Sequence, residues 1–102
     1  MTNVSIIVPS YNRPAQLRSC LRSLATLEGG PYPTIVVDDG RSVALEPIVK
    51  DYDDWVRLVR RENGGPGAAR NTGVAASSTE LVCFTDDDCA PRSDWVLSLI
   101  HI

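Results

Sequence analysis

The chain has 102 residues and a formal net charge of −3, with 43% hydrophobic and 23% charged residues. These values are typical of one soluble globular domain, and they argue against a nucleic-acid-binding or polybasic membrane-binding surface. No apolar run approaches the roughly 20 residues that span a bilayer, and the amino terminus lacks the segments of a signal peptide. We therefore expect a cytoplasmic protein that has no transmembrane segment and does not bind nucleic acid, with a peripheral membrane association left open.

Hydrophobic periodicity predicts four strands and four helices in alternating order. The strands are predicted at short apolar runs, residues 4–8, 34–37, 56–59 and 81–85. The first helix is predicted from an Asn12 N-cap to the stop at residues 29–31, and the others at residues 43–51, 68–76 and 94–101. Pro9 is expected to end the first strand, and Pro47 to interrupt the second helix. This alternation predicts an α/β fold, an open and mostly parallel sheet with helices on both faces.

The last predicted strand reads as a buried strand and leads directly into three adjacent aspartates, Asp86, Asp87 and Asp88. Close carboxylates repel one another unless a cation compensates. Asp86 and Asp88 are two residues apart, so an extended segment would direct both to the same side. Their hard oxygen atoms suit Mg²⁺ or Mn²⁺. The pattern therefore predicts a divalent-metal site at Asp86 and Asp88, and a solvated acidic turn or helix N-cap is the alternative.

Polar residues follow the carboxyl ends of all four predicted strands, where open parallel sheets bind ligands. They are Ser10, Tyr11 and Asn12, then Asp38 and Asp39, then Arg60 and Arg61, then the three aspartates. This edge is too acidic for a bare phosphate. The pattern therefore predicts a nucleotide diphosphate that arrives with a divalent cation.

Several of these side chains suit particular parts of a nucleotide. Tyr11 offers a flat face for a base, and Asp39 offers an acceptor for a base N–H or a ribose hydroxyl. Arg70 would balance a phosphate or hold Asp39. The structural alternatives stay open: Tyr11 covers the sheet, Asp38 caps a turn, Arg70 forms an ion pair, and Asn71 ties down the glycine loop. Arg60 and Arg61 are expected to be solvated charges.

Four segments in this order resemble the family-2 glycosyltransferases with the GT-A fold. They are VSIIVPSYNR at residues 4–13, VVDDG at 36–40, GAARNTG at 67–73 and FTDDD at 84–88. The resemblance implies that Pro9, Tyr11 and Asp39 hold the base, and that Arg70 and Asn71 lie beside the nucleotide. It also implies that residues 86–88 are a DXD motif, whose carboxylates bind the metal and the donor ribose or phosphate. Residues 41–43 depart from the sequence that usually follows Gly40 in the family.

The chemistry that this resemblance implies is transfer of a sugar from a nucleotide-diphospho-sugar, with UDP as the expected nucleotide, to a hydroxyl of a saccharide or lipid-linked acceptor. The metal would offset charge on the departing diphosphate, and a carboxylate base would give inversion. In the family that base lies in the second half of the domain, and Asp94 is not favoured for the role. Residues 1–102 are therefore expected to form a single domain, the nucleotide-sugar-binding half, ending before the acceptor half.

Two other functions are considered. A receiver domain also gathers aspartates around Mg²⁺, but it requires an acidic pair after the first strand and a late lysine. A stand-alone nucleotide-sugar-binding module without turnover remains open, and an uncovered sheet edge would let it form a homo-oligomer. Residues 64–67 lack both the G-x-G-x-x-G spacing and a following Lys-Ser/Thr, which excludes the dinucleotide-binding and P-loop interpretations.

Overall fold

A computed structural model describes residues 3–40, 44–62 and 64–100. Within these residues the strands are β1 (Val4–Ser10), β2 (Thr34–Asp38), β3 (Val56–Arg60) and β4 (Leu81–Phe84). The helices are α1 (Pro14–Leu24), α2 (Glu46–Val49), α3 (Pro66–Ala76) and α4 (Trp95–Ile100), and a 3₁₀ turn covers Lys50–Tyr52. The strands are parallel and lie in the order β3-β2-β1-β4. The predicted α/β class and the alternating order are confirmed.

Both faces of the sheet are covered by helices, because successive side chains of a strand point to opposite faces. One face packs against α1, α2 and α4, and its core includes Ile6, Val8, Leu21, Val36 and Val96. The other face packs against α3, and its smaller core is Ile7, Ile35, Val37 and Ala69. The predicted placement of helices on both faces is therefore confirmed.

β1 lies in the middle of the sheet, as predicted, but Pro9 does not end it. The strand continues to Ser10, and Pro9 pairs in register with Val37 of β2. Along β1, Ile6 and Ser10 bond toward β2, whereas the carbonyl of Ile7 accepts from Thr85 on the β4 side. Pro9 therefore directs its nitrogen to the β4 side, beyond the last pair of the β1–β4 ladder, Ile7 with Phe84. The missing N–H of proline thus removes no ladder hydrogen bond at this position.

β4 was predicted to be a buried strand, and this prediction is wrong. In the described sheet β4 has one neighbour, β1, and α3 lies over β1 and β2. Leu81 and Phe84 are consequently 45% and 41% exposed, whereas Cys83 packs into the core below α1. An apolar run of four residues does not distinguish an edge strand from a central one, because the distinction depends on its neighbours.

The structure also corrects the starts of two helices. Arg13, and not Asn12, occupies the N-cap position of α1, where no side chain caps the helix; Asn12 has a positive φ of 52°. Pro47 lies in the first turn of α2, where a missing N–H costs nothing, instead of interrupting the helix. Residues 41–43 and His101, which also entered the sequence predictions, lie outside the described residues, as does Asn63.

Candidate functional site

A cleft of about 570 Å³ lies at the carboxyl end of the sheet. Its walls come from the end of β1, the loops after β2 and β4, and the start of α3. The lining residues are Pro9, Ser10, Tyr11, Arg13, Asp39, Gly65, Pro66, Ala69, Arg70, Asp86, Asp87 and Asp88. The structure therefore brings together most of the site residues that the sequence analysis named. The sequence analysis did not name four of the lining residues as site residues: Arg13, Gly65, Pro66 and Ala69. Arg13 could have been predicted, because it directly follows the polar run after β1.

The middle aspartate of the triplet is a buried structural residue. Asp87 accepts a hydrogen bond from the Ser10 hydroxyl at 2.9 Å, and Arg13 Nη1 lies 3.4 Å from its other oxygen. Burial raises the pKa of the Asp87 carboxyl, and the Ser10 hydrogen bond and the Arg13 charge lower it in part. Asp87 thus ties the loop after β4 to the end of β1.

The outer two aspartates are exposed and lie close together. The side chains of Asp86 and Asp88 are 62% and 56% exposed. One ligand atom from each, together with the Cys89 sulfur, lies within 4.8 Å of the others. The two carboxylates are hard donors that can share one divalent cation, whereas the thiol is a softer ligand. The donor set therefore fits Mn²⁺ or Mg²⁺ held by Asp86 and Asp88.

Two arginines flank the exposed carboxylates. Arg13 Nη1 lies 3.8 Å from Asp88 Oδ2, and Arg70 Nη2 lies 3.7 Å from Asp86 Oδ1. These long, exposed ion pairs are weak, so both guanidinium groups remain available to an anionic ligand. The sequence analysis suggested two partners for Arg70, a phosphate or Asp39. Among the described residues Arg70 pairs with Asp86, and Asp39 pairs with Arg61 instead.

Asp39 fastens the glycine loop to the end of β2. The backbone N–H groups of Gly64 and Gly65 donate to its two oxygens at 3.0 Å each, and Arg61 Nε lies 3.2 Å from Oδ1. Gly65 has a φ of 90°, a left-handed conformation that glycine adopts without strain. Arg61 was predicted to be a solvated charge, and this prediction is wrong, because its side chain is only 27% exposed.

Three of the predicted binding residues do not line the cleft. Asp38 is buried, accepts a hydrogen bond from the Gly40 N–H at 3.1 Å and pairs with Arg60, so it caps the turn after β2. Asn12 has a buried side-chain oxygen with no hydrogen-bond partner among the described residues. Asn71 is exposed on α3. Arg60 also pairs with Glu46, and both side chains are exposed, in line with the solvated charge that was predicted for Arg60.

Tyr11 lies at the mouth of the cleft and is 48% exposed. Its ring packs over Gly40: a Cβ atom at that position would lie 2.6 Å from two ring carbons. The absence of a side chain at Gly40 therefore lets the ring approach the backbone after β2. The ring keeps enough exposed surface to stack against a planar ligand.

The three cysteines are free thiols. Cys20 of α1 lies beneath the acidic loop, where its Sγ–H donates to the carbonyl of Asp86 at 3.7 Å. Burial, with a smaller contribution from the nearby aspartates, raises the pKa of Cys20 to about 12. Cys20 is therefore a neutral packing residue under the site.

Comparison with known proteins identifies relatives over almost the whole chain. The family model "Glycosyl transferase family 2" matches residues 5–102. Glycosyltransferase AglE of Haloferax volcanii is 34% identical over 99 residues, which cover 91% of this chain and 33% of that protein. The chain thus spans about a third of the length of this relative.

Two solved structures resemble the fold closely. Staphylococcus aureus TarS in complex with UDP-GlcNAc superposes with a TM-score of 0.86 at 28% identity, covering 97% of this chain and 30% of that one. Glucosyl-3-phosphoglycerate synthase from Mycobacterium tuberculosis, solved with Mn²⁺, UDP and glucosyl-3-phosphoglycerate, superposes with a TM-score of 0.80 at 27% identity. That match covers 98% of this chain and 39% of the synthase. Among the helices of the described residues, none combines the length and the hydropathy that a membrane-spanning segment requires.

Proposed function

The chain belongs to glycosyl transferase family 2, and from this premise we propose that its cleft binds a nucleotide-diphospho-sugar, with UDP as the nucleotide, together with Mn²⁺ or Mg²⁺. The observation that carries the proposal is the cleft itself. It joins two exposed carboxylates, Asp86 and Asp88, to the exposed ring of Tyr11 and the guanidinium of Arg70. The complexes of the two structural relatives with UDP-GlcNAc, and with Mn²⁺ and UDP, support this assignment.

Each cleft residue has a role in the proposed complex. The base stacks on Tyr11, and Asp39 accepts a hydrogen bond from a base N–H. Asp86 and Asp88 hold the cation, which when bound offsets the negative charge on the diphosphate. Arg70 is close enough to Asp86 to move to a phosphate oxygen at small cost, because its ion pair is long and exposed. Pro9, Ser10 and Asp87 form the floor, and Ser10 holds Asp87 in place.

The proposed reaction is transfer of the sugar to a hydroxyl of a saccharide or lipid-linked acceptor, with inversion. Inversion requires a carboxylate base next to the acceptor hydroxyl. Among the described residues we assign none: Asp87 is buried, Asp86 and Asp88 are proposed metal ligands, and Asp94 pairs with Arg92 outside the cleft. Because the chain spans about a third of its relative AglE, turnover is proposed for an enzyme that supplies this base from other residues.

A second function is a nucleotide-sugar-binding module without turnover, which would use the same carboxylates and the same cleft and would need no base. The family match argues against the receiver-domain alternative. We further propose that residues 1–102 form one domain, the nucleotide-sugar-binding half of a GT-A glycosyltransferase. In this proposal it acts in the cytoplasm or at a membrane surface and self-associates through a sheet edge.

The proposed function is tested by calorimetric titration of the chain with UDP, with and without Mn²⁺. We expect UDP to bind more tightly with Mn²⁺, and EDTA to remove the gain without unfolding the protein. Asp39→Ala should weaken UDP binding in both conditions. If no nucleotide binds under any condition, the proposal is wrong.

Release of UDP from UDP-glucose separates the two functions. The proposed enzyme, tested with the residues that supply its base, should release UDP slowly in the presence of Mn²⁺, because water can replace the acceptor. A binding module should bind UDP with Mn²⁺ and release none from the sugar nucleotide.

A further inference from the structure

We propose that Arg13 is an exchangeable counter-ion at the metal site, which neutralises Asp88 before the cation binds, yields Asp88 to the cation and then binds the diphosphate of the nucleotide. Arg13 lines the cleft beside the acidic loop. The inference rests on the proposed function, since it concerns the order in which the same cleft binds its cation and its nucleotide.

The guanidinium of Arg13 contacts two carboxylates of the acidic loop in different ways. Its Nη1 donates to Asp87 Oδ1 at 3.4 Å, and this carboxylate is only 6% exposed. The same nitrogen lies 3.8 Å from Asp88 Oδ2, which is too long for a hydrogen bond, and the Asp88 side chain is 56% exposed. The contact with Asp88 is therefore the weaker of the two and is broken at small cost.

Asp88 is also one of the two proposed ligands of the cation. A divalent cation on Asp88 would lie within a few ångströms of the guanidinium, and two positive charges at that separation repel each other. Arg13 and the cation therefore compete for the same carboxylate. Because the ion pair between Arg13 and Asp88 is long and exposed, we expect Arg13 to be the partner that gives way.

Once displaced from Asp88, Arg13 stays in the cleft. Its backbone is fixed at the start of α1, where its carbonyl accepts the Leu17 N–H at 2.9 Å, and Asp87 remains a partner of Nη1. A guanidinium has five N–H donors, and among the described residues its Nε and Nη2 have no acidic partner. These donors match the spacing of phosphate oxygens. The diphosphate is therefore the anion in the proposed complex that Arg13 can bind.

The charges around the acidic loop give this exchange a direction. The three carboxylates of residues 86–88 face two guanidinium groups, those of Arg13 and Arg70, so the formal balance is negative and repels a diphosphate. A divalent cation makes the balance positive. Arg13 should therefore oppose binding of the cation and favour binding of the diphosphate that follows, whereas a purely structural residue would not affect the two ligands in opposite directions.

Arg18 provides a matched control on the same helix. Its Nη1 lies 3.8 Å from Asp51 Oδ2, the same separation as between Arg13 and Asp88, and its side chain is 48% exposed against 52% for Arg13. Arg18 does not line the cleft. Replacing either arginine by glutamine removes the charge and keeps a polar side chain. Arg13→Lys keeps the charge, and it should retain the wild-type affinity for Mn²⁺ within about twofold.

Two titrations measure the two effects of Arg13→Gln. Mn²⁺ alone, followed by the electron paramagnetic resonance signal of the free ion, should bind about two- to fivefold more tightly than to the wild-type chain, because an exposed competing charge is gone. UDP at saturating Mn²⁺, followed by calorimetry, should bind about tenfold more weakly, because charge-assisted hydrogen bonds to phosphate are lost. Without Mn²⁺ the loss of UDP affinity should be about threefold or less. Uridine, which lacks the diphosphate, should bind equally to both proteins.

The inference is supported if Arg13→Gln changes the Mn²⁺ and UDP affinities in opposite directions and Arg18→Gln changes neither. Weaker binding of both ligands would make Arg13 a structural residue and overturn it. A change in only one of the two affinities, or an equal loss of UDP affinity with and without Mn²⁺, would also overturn it. No change in either affinity refutes the role of Arg13 and leaves the nucleotide site intact. A wild-type chain that binds no UDP under any condition refutes the proposed function, and this inference with it.

If Arg13→Gln does not fold, nuclear magnetic resonance of the wild-type chain replaces it. The Nε–H signal of Arg13 is followed with Mg²⁺, which is diamagnetic, and then with UDP. We expect UDP to shift the signal and slow its exchange with solvent when Mg²⁺ is present. A signal that UDP leaves unchanged in the presence of Mg²⁺ rejects the inference.

Discussion

At the scale of single residues, burial gives identical side chains opposite roles. Asp86, Asp87 and Asp88 are adjacent, yet the outer two are exposed and the middle one is buried under a hydrogen bond from Ser10. The extended segment considered for residues 86–88 in the sequence analysis is not observed, because the Cys89 N–H donates to the Asp86 carbonyl at 3.1 Å and closes a turn. Within this turn Asp87 is the aspartate whose side chain reaches Ser10 of β1. Asp87 therefore stabilises the fold, whereas Asp86 and Asp88 form a candidate metal site, and mutation can test the two roles separately.

The first prediction compares how alanine substitution of each aspartate changes the free energy of unfolding. Asp87→Ala should lower the free energy of unfolding by about 1–3 kcal/mol, because it leaves the buried Ser10 hydroxyl without its acceptor. Asp86→Ala and Asp88→Ala should change it by no more than about 0.5 kcal/mol, since both side chains are exposed. Urea unfolding followed by tryptophan fluorescence measures all three. Equal losses in the three variants would show that the middle aspartate is not the structural one.

The second prediction concerns the same carboxylates as ligands. Asp86→Asn and Asp88→Asn should each reduce the Mn²⁺-dependent part of UDP affinity by about tenfold or more, because each removes one charged oxygen donor from the cation. The affinity for UDP without metal should change little. Titration of each variant with and without Mn²⁺ gives both numbers, and a metal-dependent gain that survives both changes would place the metal elsewhere.

At the scale of elements, α3 is positioned by the absence of a side chain at one point. Gly73 faces Ile7 of β1, and a Cβ at this position would clash with the Ile7 Cγ2 methyl group. This contact brings α3 close to the sheet and so brings Arg70, three residues earlier on the helix, to the cleft. Gly67, in the first turn of the same helix, faces open space.

The third prediction compares these two glycines. Gly73→Ala should destabilise the fold by about 1–3 kcal/mol, because the added methyl overpacks the contact with β1. Gly67→Ala should be neutral or stabilise it by up to about 1 kcal/mol, because alanine has the higher helix propensity. Thermal unfolding of the two variants measures the difference. If both substitutions had the same effect, close packing at Gly73 would not be what holds α3 on the sheet.

At the scale of the whole molecule, the two outer strands of the described sheet have different surfaces. β3 carries the exposed arginines Arg57 and Arg60, which protect an edge against pairing. β4 carries the exposed apolar residues Leu81 and Phe84. An apolar edge strand is the feature that invites a further strand or a second copy.

The fourth prediction follows from this difference. The isolated chain should self-associate as its concentration rises, and Phe84→Lys should reduce the association, because a charged side chain opposes strand pairing at the β4 edge. Arg57→Gln at the other edge should leave it unchanged. Sedimentation velocity over a range of concentrations measures all three. A monomeric wild-type chain, or an undiminished association in Phe84→Lys, would contradict the proposed use of this edge.

The order of apolar and polar residues along the chain was sufficient to predict the class of fold and the edge of the sheet that carries the cleft. Short β-branched runs alternate with amphipathic segments, and parallel strands bring their carboxyl ends to one edge, so Tyr11, Asp39, Arg70 and the aspartates had to converge. The family resemblance that the sequence analysis drew from its four motifs is confirmed by the family model, which matches residues 5–102.

Only the tertiary structure decided which residue holds which partner. Asp38 and Asp39 are adjacent and alike, but one caps a turn and the other fastens the glycine loop. Arg61 was predicted to be a solvated charge, but the packing of α3 encloses most of its side chain. β4 was predicted to be a buried strand, but in the described sheet it has a neighbouring strand on one side alone. The local sequence pattern shows only which residues are apolar and which are charged. Burial and pairing depend on contacts between segments far apart in the chain, and these exist only once the elements have packed.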